Sequence, residues 1–125
     1  MLESKIRRTG DVTILDLEGR ISLTDALWSA SGVELGKVIR ELVKNGERKI
    51  LLNLKGVTYV DSSGIGELTG GLTSVKRQGG ELKLVNPSPR VLELLRMTRL
   101  DTMFDIRDDE NSAIQAFSSR LAAAG

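Results

Sequence analysis

The residues best suited to chemistry lie together in the segment Asp61-Ser62-Ser63-Gly64-Ile65-Gly66. One acid and two hydroxyls come before two glycines, at the start of a stretch whose apolar residues have helical spacing. A hydroxyl at a helix N-cap accepts hydrogen bonds from free backbone N–H groups, and glycine allows another chain to approach the backbone closely. The segment therefore predicts either a plain helix cap, with Ser62 or Ser63 at the N-cap, or a functional loop.

The composition limits the chemistry that this segment can perform alone. The 125 residues include no histidine and no cysteine. The commonest general base at neutral pH is therefore missing, and a Ser–His–Asp triad, a thiolate nucleophile and a cysteine-type zinc site are excluded. Asp61 is the one acid in a plausible site. We therefore predict that the chain is not an enzyme and uses no metal or cofactor.

Two glycine patterns fall short of nucleotide-binding motifs. Between Gly32 and Gly36 there are three residues, where a phosphate-binding loop has four, and the lysine that follows is not succeeded by Ser or Thr. In the segment 64–70 the third glycine of the dinucleotide fingerprint is displaced by one position. The simpler interpretations are a helix with two small residues and close packing of a helix on a sheet.

Charge and hydropathy argue against nucleic acid and membranes as partners. Lys and Arg number 18 and Asp and Glu 17, a formal net charge of +1, whereas nucleic-acid-binding domains usually carry a basic excess on one face. No apolar run approaches the length of a membrane span, and the N-terminus lacks the apolar core of a signal peptide. We expect a soluble cytoplasmic protein.

The strands that must position the segment follow from the pattern of apolar residues. A turn at Gly10-Asp11 predicts an antiparallel hairpin whose second strand, 12–17, is ended by Gly19. Ile50–Leu54 is almost entirely apolar, which is typical of a central strand covered on both faces. The residues 56–60 are predicted as a turn with a short apolar lead-in. Shorter strands are predicted at 82–85 and 104–106.

Apolar stripes at helical spacing predict about four helices. One ends at Lys44, before the stop signal Asn45-Gly46, and the second runs from about Ser63 to Gln78. A short third helix starts at Pro87 and Pro89, and a last helix follows three acids at 108–110. The stretch 27–32 is expected to be irregular, with Trp28 either a core residue or an exposed binding anchor. Together these elements predict one α/β domain over residues 1–125, with a mixed sheet of about four or five strands.

Four segments, in the correct order, resemble the STAS domain family and, more narrowly, the bacterial anti-sigma factor antagonists. They are Gly10–Ile21, Asn53–Gly66, Gly79–Val85, and Leu94–Leu100 followed by Phe104. The resemblance implies a single STAS-like domain whose core spans roughly residues 4–118 of the chain.

In that family the serine directly after the Asp is phosphorylated by an anti-sigma factor that is itself a serine kinase. The resemblance therefore implies that Ser62, or less favourably Ser63, accepts a phosphate, with Gly64 leaving room for the kinase. The implied partner-binding motif is Asp61, Ser62, Ser63, Gly64, Ile65 and Gly66.

The implied cycle is a partner switch. The unphosphorylated chain sequesters the anti-sigma factor and so permits sigma-factor-dependent transcription, phosphorylation releases the anti-sigma factor, and a PP2C-type phosphatase resets the chain. The alternative is a constitutive scaffold subunit of a signalling or lipid-transport assembly, a role that STAS domains also have.

Two departures from the family pattern bear on the identity of the partner. Many members carry an acidic residue and an Asp shortly after the glycine of the first long strand, where this chain has Arg20 and Ser22. The stretch between Gly19 and Asp61 is also several residues longer than in the sporulation-type antagonists.

Overall fold

The computed structural model describes residues 2–23 and 34–124, with side chains described as far as Phe117. Trp28 and the predicted irregular stretch 27–32 lie outside the described residues. Within the described ranges, no helix combines the length and the apolar character that crossing a membrane requires.

Five strands form one mixed sheet in the described part of the chain, in the order β1-β2-β3-β4-β5. The first two are antiparallel and meet at the predicted turn, where Gly10 has a φ of +59°. The remaining strands run parallel to β2. Their bounds are Leu2–Thr9 (β1), Val12–Ile21 (β2), Lys49–Val60 (β3), Glu81–Val85 (β4) and Asp105–Arg107 (β5).

Four α-helices lie wholly within the described ranges, together with a 3₁₀-helix at Leu100–Thr102, and three of the α-helices join successive parallel strands. Their bounds are Leu35–Lys44 (α1), Ser62–Arg77 (α2), Pro89–Met97 (α3) and Glu110–Ala124 (α4). The predicted stop and start residues lie at helix ends: Gly46 follows α1 with a φ of +97°, and Pro89 is the first residue of α3. The predicted α/β class, with a mixed sheet and four helices, is confirmed.

The sheet separates two apolar cores. Ile50, Leu52 and Leu54 of β3 belong to the larger core, which also contains buried residues of α1, α2 and α3. Leu51 points to the smaller core, where Phe117 of α4 is fully buried. The prediction of a central strand covered on both faces is therefore confirmed.

Two predicted boundaries near the site are wrong. Gly19 does not end β2, and 56–60 is not a turn, because β2 continues to Ile21 and β3 to Val60 as parallel partners. Two register shifts in this pairing place extra residues in β3, and bulges of this kind interrupt the alternation from which a strand is predicted. As a result, Asp61 stands directly at the carboxyl end of a central strand.

Candidate functional site

Asp61 is the N-cap of helix α2. Its backbone is extended, with φ −107° and ψ −174°, and its Oδ1 accepts a hydrogen bond from the Gly64 N–H at 2.9 Å. The expectation that Ser62 or Ser63 would take this position is wrong, because both serines lie inside the first helical turn. A carboxylate at the N-cap satisfies a free N–H group and also opposes the positive end of the helix dipole.

Two hydroxyls hold the same carboxylate. Ser63 donates to Oδ1 at 2.6 Å, and Ser22, which directly follows β2, donates to Oδ2 at 2.6 Å. Ser63 Oγ in turn accepts from the Leu23 N–H at 2.9 Å. A hydroxyl at position 22 can donate to Asp61, whereas an ionised Asp there could only accept. The departure at Ser22 therefore fits the hydrogen-bond network of this chain.

The network fixes the charge of Asp61. Burial alone would raise the pKa of its carboxyl, but hydrogen bonds from Ser22, Ser63 and two backbone N–H groups outweigh burial and hold the pKa below its ordinary value. The carboxylate is therefore ionised at neutral pH, directly beside Ser62.

The two serines of the motif differ in accessibility. Ser63 is half-buried and its hydroxyl is engaged by Asp61 and Leu23. Ser62 is exposed, and within the described ranges its hydroxyl forms no hydrogen bond. Phosphoryl transfer requires a hydroxyl that an outside active site can reach and deprotonate. Of the two serines, the geometry favours Ser62.

The two glycines of the motif also differ. A Cβ on Gly64 would lie 2.0 Å from the carbonyl oxygen of Ile21. Gly64 is thus required by packing inside the domain, and the expectation that it leaves room for a kinase is wrong. A Cβ on Gly66 would meet nothing within 4 Å among the described residues, so of the two glycines it is Gly66 that faces open space there. Ile65 is half-buried and packs against the larger core.

Glu67 is a candidate that the sequence reasoning missed. It lies on the buried face of α2 with Leu68, Gly71 and Val75, and only 9% of its surface is exposed. Its neighbours on that face, Gly64 three residues before and Gly71 four residues after, carry no side chain, so the local sequence pattern gave no signal that Glu67 is buried. Within the described residues, no group of three or more acidic side chains is arranged to hold a metal ion.

We expect Asp61→Ala to lower the free energy of unfolding by about 2 kcal/mol, because the helix loses its cap and two part-buried hydroxyls lose their acceptor. Urea denaturation followed by circular dichroism measures the change. Ser62→Ala is the matched control and should stay within about 0.5 kcal/mol of the parent chain, because its side chain is exposed. Equal stability of the two variants would contradict the described network.

Comparison with known proteins gives consistent matches. The model of the STAS domain family matches residues 3–113. The anti-sigma-B factor antagonist of Bacillus subtilis is 42% identical over 62 residues, which cover 50% of this chain and 57% of that protein. The chain thus spans little more than half the length of that relative.

Solved structures share the fold. A Thermotoga maritima protein assigned as an anti-sigma factor antagonist superposes with a TM-score of 0.80 at 28% identity, over 92% of this chain and 94% of the other. The Bacillus cell fate determinant SpoIIAA in its phosphorylated form gives a TM-score of 0.66 at 20% identity, over 91% and 98% of the two chains. At that identity the second likeness concerns the fold alone.

Proposed function

This chain belongs to the STAS domain family, and from that membership we propose that it is an anti-sigma factor antagonist controlled by phosphorylation of Ser62. In the unphosphorylated form it binds an anti-sigma factor that has serine kinase activity, and this binding frees a sigma factor for transcription. Phosphorylation ends the binding, and a PP2C-type phosphatase restores it. The names of the two relatives that are described as antagonists support this assignment.

One observation carries the proposal: Ser62 is exposed in the first turn of α2, beside a carboxylate whose position is fixed. Asp61 is held by Ser22, Ser63 and the Gly64 N–H, so the serine next to it is presented from a rigid support at the end of a central strand. A partner that recognises this helix end also meets the hydroxyl it can modify.

The chain acts as a substrate and not as a catalyst in this scheme. The kinase transfers the terminal phosphoryl group of ATP to Ser62 Oγ, the hydroxyl proton passes to a base of the kinase, and ADP leaves. A protein with no histidine and no cysteine can take this part, because the nucleotide, the metal and the base all belong to the kinase.

The fold can accept the phosphate without rearrangement. A phosphoryl group adds about −1.5 to −2 charges at pH 7, and the N-terminus of a helix favours negative charge through its free N–H groups and its dipole. Since the Ser62 side chain is exposed, the added group needs no space inside the domain. The switch then acts at the contact surface and not on the backbone.

The proposal is tested by incubating the protein with ATP and the anti-sigma factor kinase of the same organism and mapping the phosphate by mass spectrometry. We expect phosphate on Ser62 only, no incorporation in Ser62→Ala, and retained incorporation in the matched variant Ser63→Ala. Phosphate at another residue, or incorporation that survives Ser62→Ala, would contradict the assignment. A pull-down that recovers a sensor or transporter assembly and no kinase would support the constitutive scaffold instead.

A further inference from the structure

Glu67 carries a buried carboxyl group that takes no part in the proposed phosphorylation switch. Glu67 is nine-tenths buried between α1 and α2. Its Oε1 accepts a hydrogen bond from the Gly36 N–H at 3.2 Å, whereas its Oε2 is buried and has no partner among the described residues. A buried oxygen without a partner costs free energy, so a hydrogen-bond donor from another molecule would stabilise this group.

Glu67 lines a groove of about 540 Å³ between α1 and α2, which we name the α1–α2 groove. On the α2 side it is formed by Ser63, Gly66 and Gly70, and on the α1 side by Glu34 and Arg40. Among the described residues, a Cβ on Gly66 or Gly70 would meet nothing within 4 Å. No described side chain therefore covers this part of the α2 wall, which leaves room for a long side chain to lie along it.

The described side chains around the groove include more acids than bases, and this composition favours binding of a cation. Burial raises the pKa of Glu67, and Glu34 and Asp61 add to this, while the Gly36 N–H and Arg40 act in the opposite direction without reversing it. Arg40 is the one cation among the described lining residues, and it forms no ion pair with Glu67 there. The intervening residues 24–33 contain no lysine and no arginine in their sequence. The complementary charge must therefore come from Arg40 by rearrangement or from another molecule.

We propose that the α1–α2 groove receives an arginine or lysine side chain of the protein partner and that this cation pairs with Glu67. The inference rests on the proposed function for the nature of that partner. Because Oε2 is buried in the free chain, entry of the cation requires a small opening of the groove. Arginine suits the site best, because its planar fork can then donate to Oε2 while its stem lies along the glycine-lined α2 wall.

The groove and the proposed phosphoacceptor form one continuous surface. Ser63 lines the groove and Ser62 precedes it in the same helical turn. A partner that inserts a cation beside Glu67 thus brings its adjoining surface onto Ser62. A phosphate on Ser62 would compete with Glu67 for that cation, and drawing it away would leave the buried Oε2 unpaired again. This competition couples the groove to the switch.

The test compares Glu67→Gln with Glu93→Gln, which makes the same change on the exposed face of α3. Glutamine keeps the shape of the side chain and an acceptor for the Gly36 N–H but removes the charge. We expect about tenfold weaker binding of the unphosphorylated protein to the anti-sigma factor kinase for Glu67→Gln, measured by titration calorimetry, and no change for Glu93→Gln.

Stability should not fall together with binding. A carboxyl whose pKa is raised on folding stabilises the fold below its unfolded pKa, and this contribution is lost as the pH rises through the folded pKa. Glu67→Gln removes the cost of ionisation, so at neutral pH its melting temperature should equal or exceed that of the parent chain. A residue with a merely structural role would lose stability together with binding.

Arg40→Gln separates the two possible sources of the cation. If the partner supplies the cation, the variant should bind the kinase a few-fold more tightly, because the competing charge of Arg40 is gone. Weaker binding would overturn the inference, because Arg40 would then be the cation that pairs with Glu67. Parent-like binding by Glu67→Gln would also overturn it, while the phosphorylation switch could still stand. If the parent chain binds no kinase at all, the proposed function itself fails.

Discussion

Gly64→Ala is expected to lower the free energy of unfolding by about 3 kcal/mol, a large share of the roughly 5–15 kcal/mol that stabilises a typical domain. The added Cβ would lie 2.0 Å from the carbonyl oxygen and 2.8 Å from the carbonyl carbon of Ile21. Both atoms belong to backbone that pairs with β3, so a side-chain rotation cannot relieve the contact. Either α2 must move away from β2 or the end of β2 must separate from Val60, its partner in the sheet.

Two other glycines of the same helix provide graded controls. Gly71→Ala would place a Cβ 2.5 Å from the Cδ1 of Ile39, the flexible end of a side chain, and should cost less than Gly64→Ala. Gly66→Ala meets open space among the described residues and should stabilise the helix by about 0.5–1 kcal/mol. In thermal denaturation, Gly64→Ala should have the lowest melting temperature, Gly71→Ala an intermediate one and Gly66→Ala the highest. The Gly64→Ala protein should melt roughly 10 °C below the parent chain. A Gly64→Ala protein that melts with Gly66→Ala would show that β2 and α2 are not in close contact.

The different surroundings of Gly64 and Gly66 could not be predicted from the sequence. From the sequence, Gly64 and Gly66 are predicted to form one feature, a helix turn kept free of bulk for a partner. The structure gives the two residues opposite surroundings, because helical periodicity turns Gly64 toward Ile21 and Gly66 outward. A glycine in a sequence indicates that a side chain is absent, but the tertiary neighbours decide what its absence accommodates.

The length of β3 and the cap of α2 illustrate a related limit. The apolar run Ile50–Leu54 predicted the strand correctly, because its residues are buried on both faces. The continuation to Val60 was missed since the pairing with β2 shifts register twice. This longer strand changes the cap of α2. Because β3 extends to Val60, Asp61 is the residue between strand and helix, and it takes the N-cap position that the serines are expected to occupy.

Glu67 was missed for a different reason. Local pattern analysis treats an acid in a helix as part of the solvated face, and nothing in the neighbouring letters shows that α1 will cover it. The burial arises from the contact of α2 with the start of α1, where the Gly36 N–H reaches Oε1. Such a contact joins residues 31 positions apart in the chain and follows from the fold as a whole.

Phosphorylation of Ser62 is expected to weaken binding to the anti-sigma factor kinase by at least a hundredfold, which corresponds to about 2.7 kcal/mol. The phosphate would stand beside Asp61, whose pKa is held low by Ser22 and Ser63 against the effect of burial, so both groups are charged at neutral pH. A partner surface shaped for a small neutral hydroxyl must then remove water from about two added charges, which costs several kcal/mol. Calorimetric titration of the stoichiometrically phosphorylated and unphosphorylated proteins measures the difference.

The weakening should occur without a change of fold, and this separates a surface switch from a conformational one. Because Ser62 is exposed and Asp61 keeps its own hydrogen bonds, the phosphorylated protein should retain its circular dichroism spectrum and melt within about 3 °C of the parent chain. Thr73→Asp, which adds a charge to an exposed position near the other end of α2, is the matched control and should bind normally. Unchanged affinity after phosphorylation would contradict the charge switch. A large drop in melting temperature would mean instead that the phosphate acts by disrupting the Asp61 network, since the helix N-terminus could then not hold the added charge.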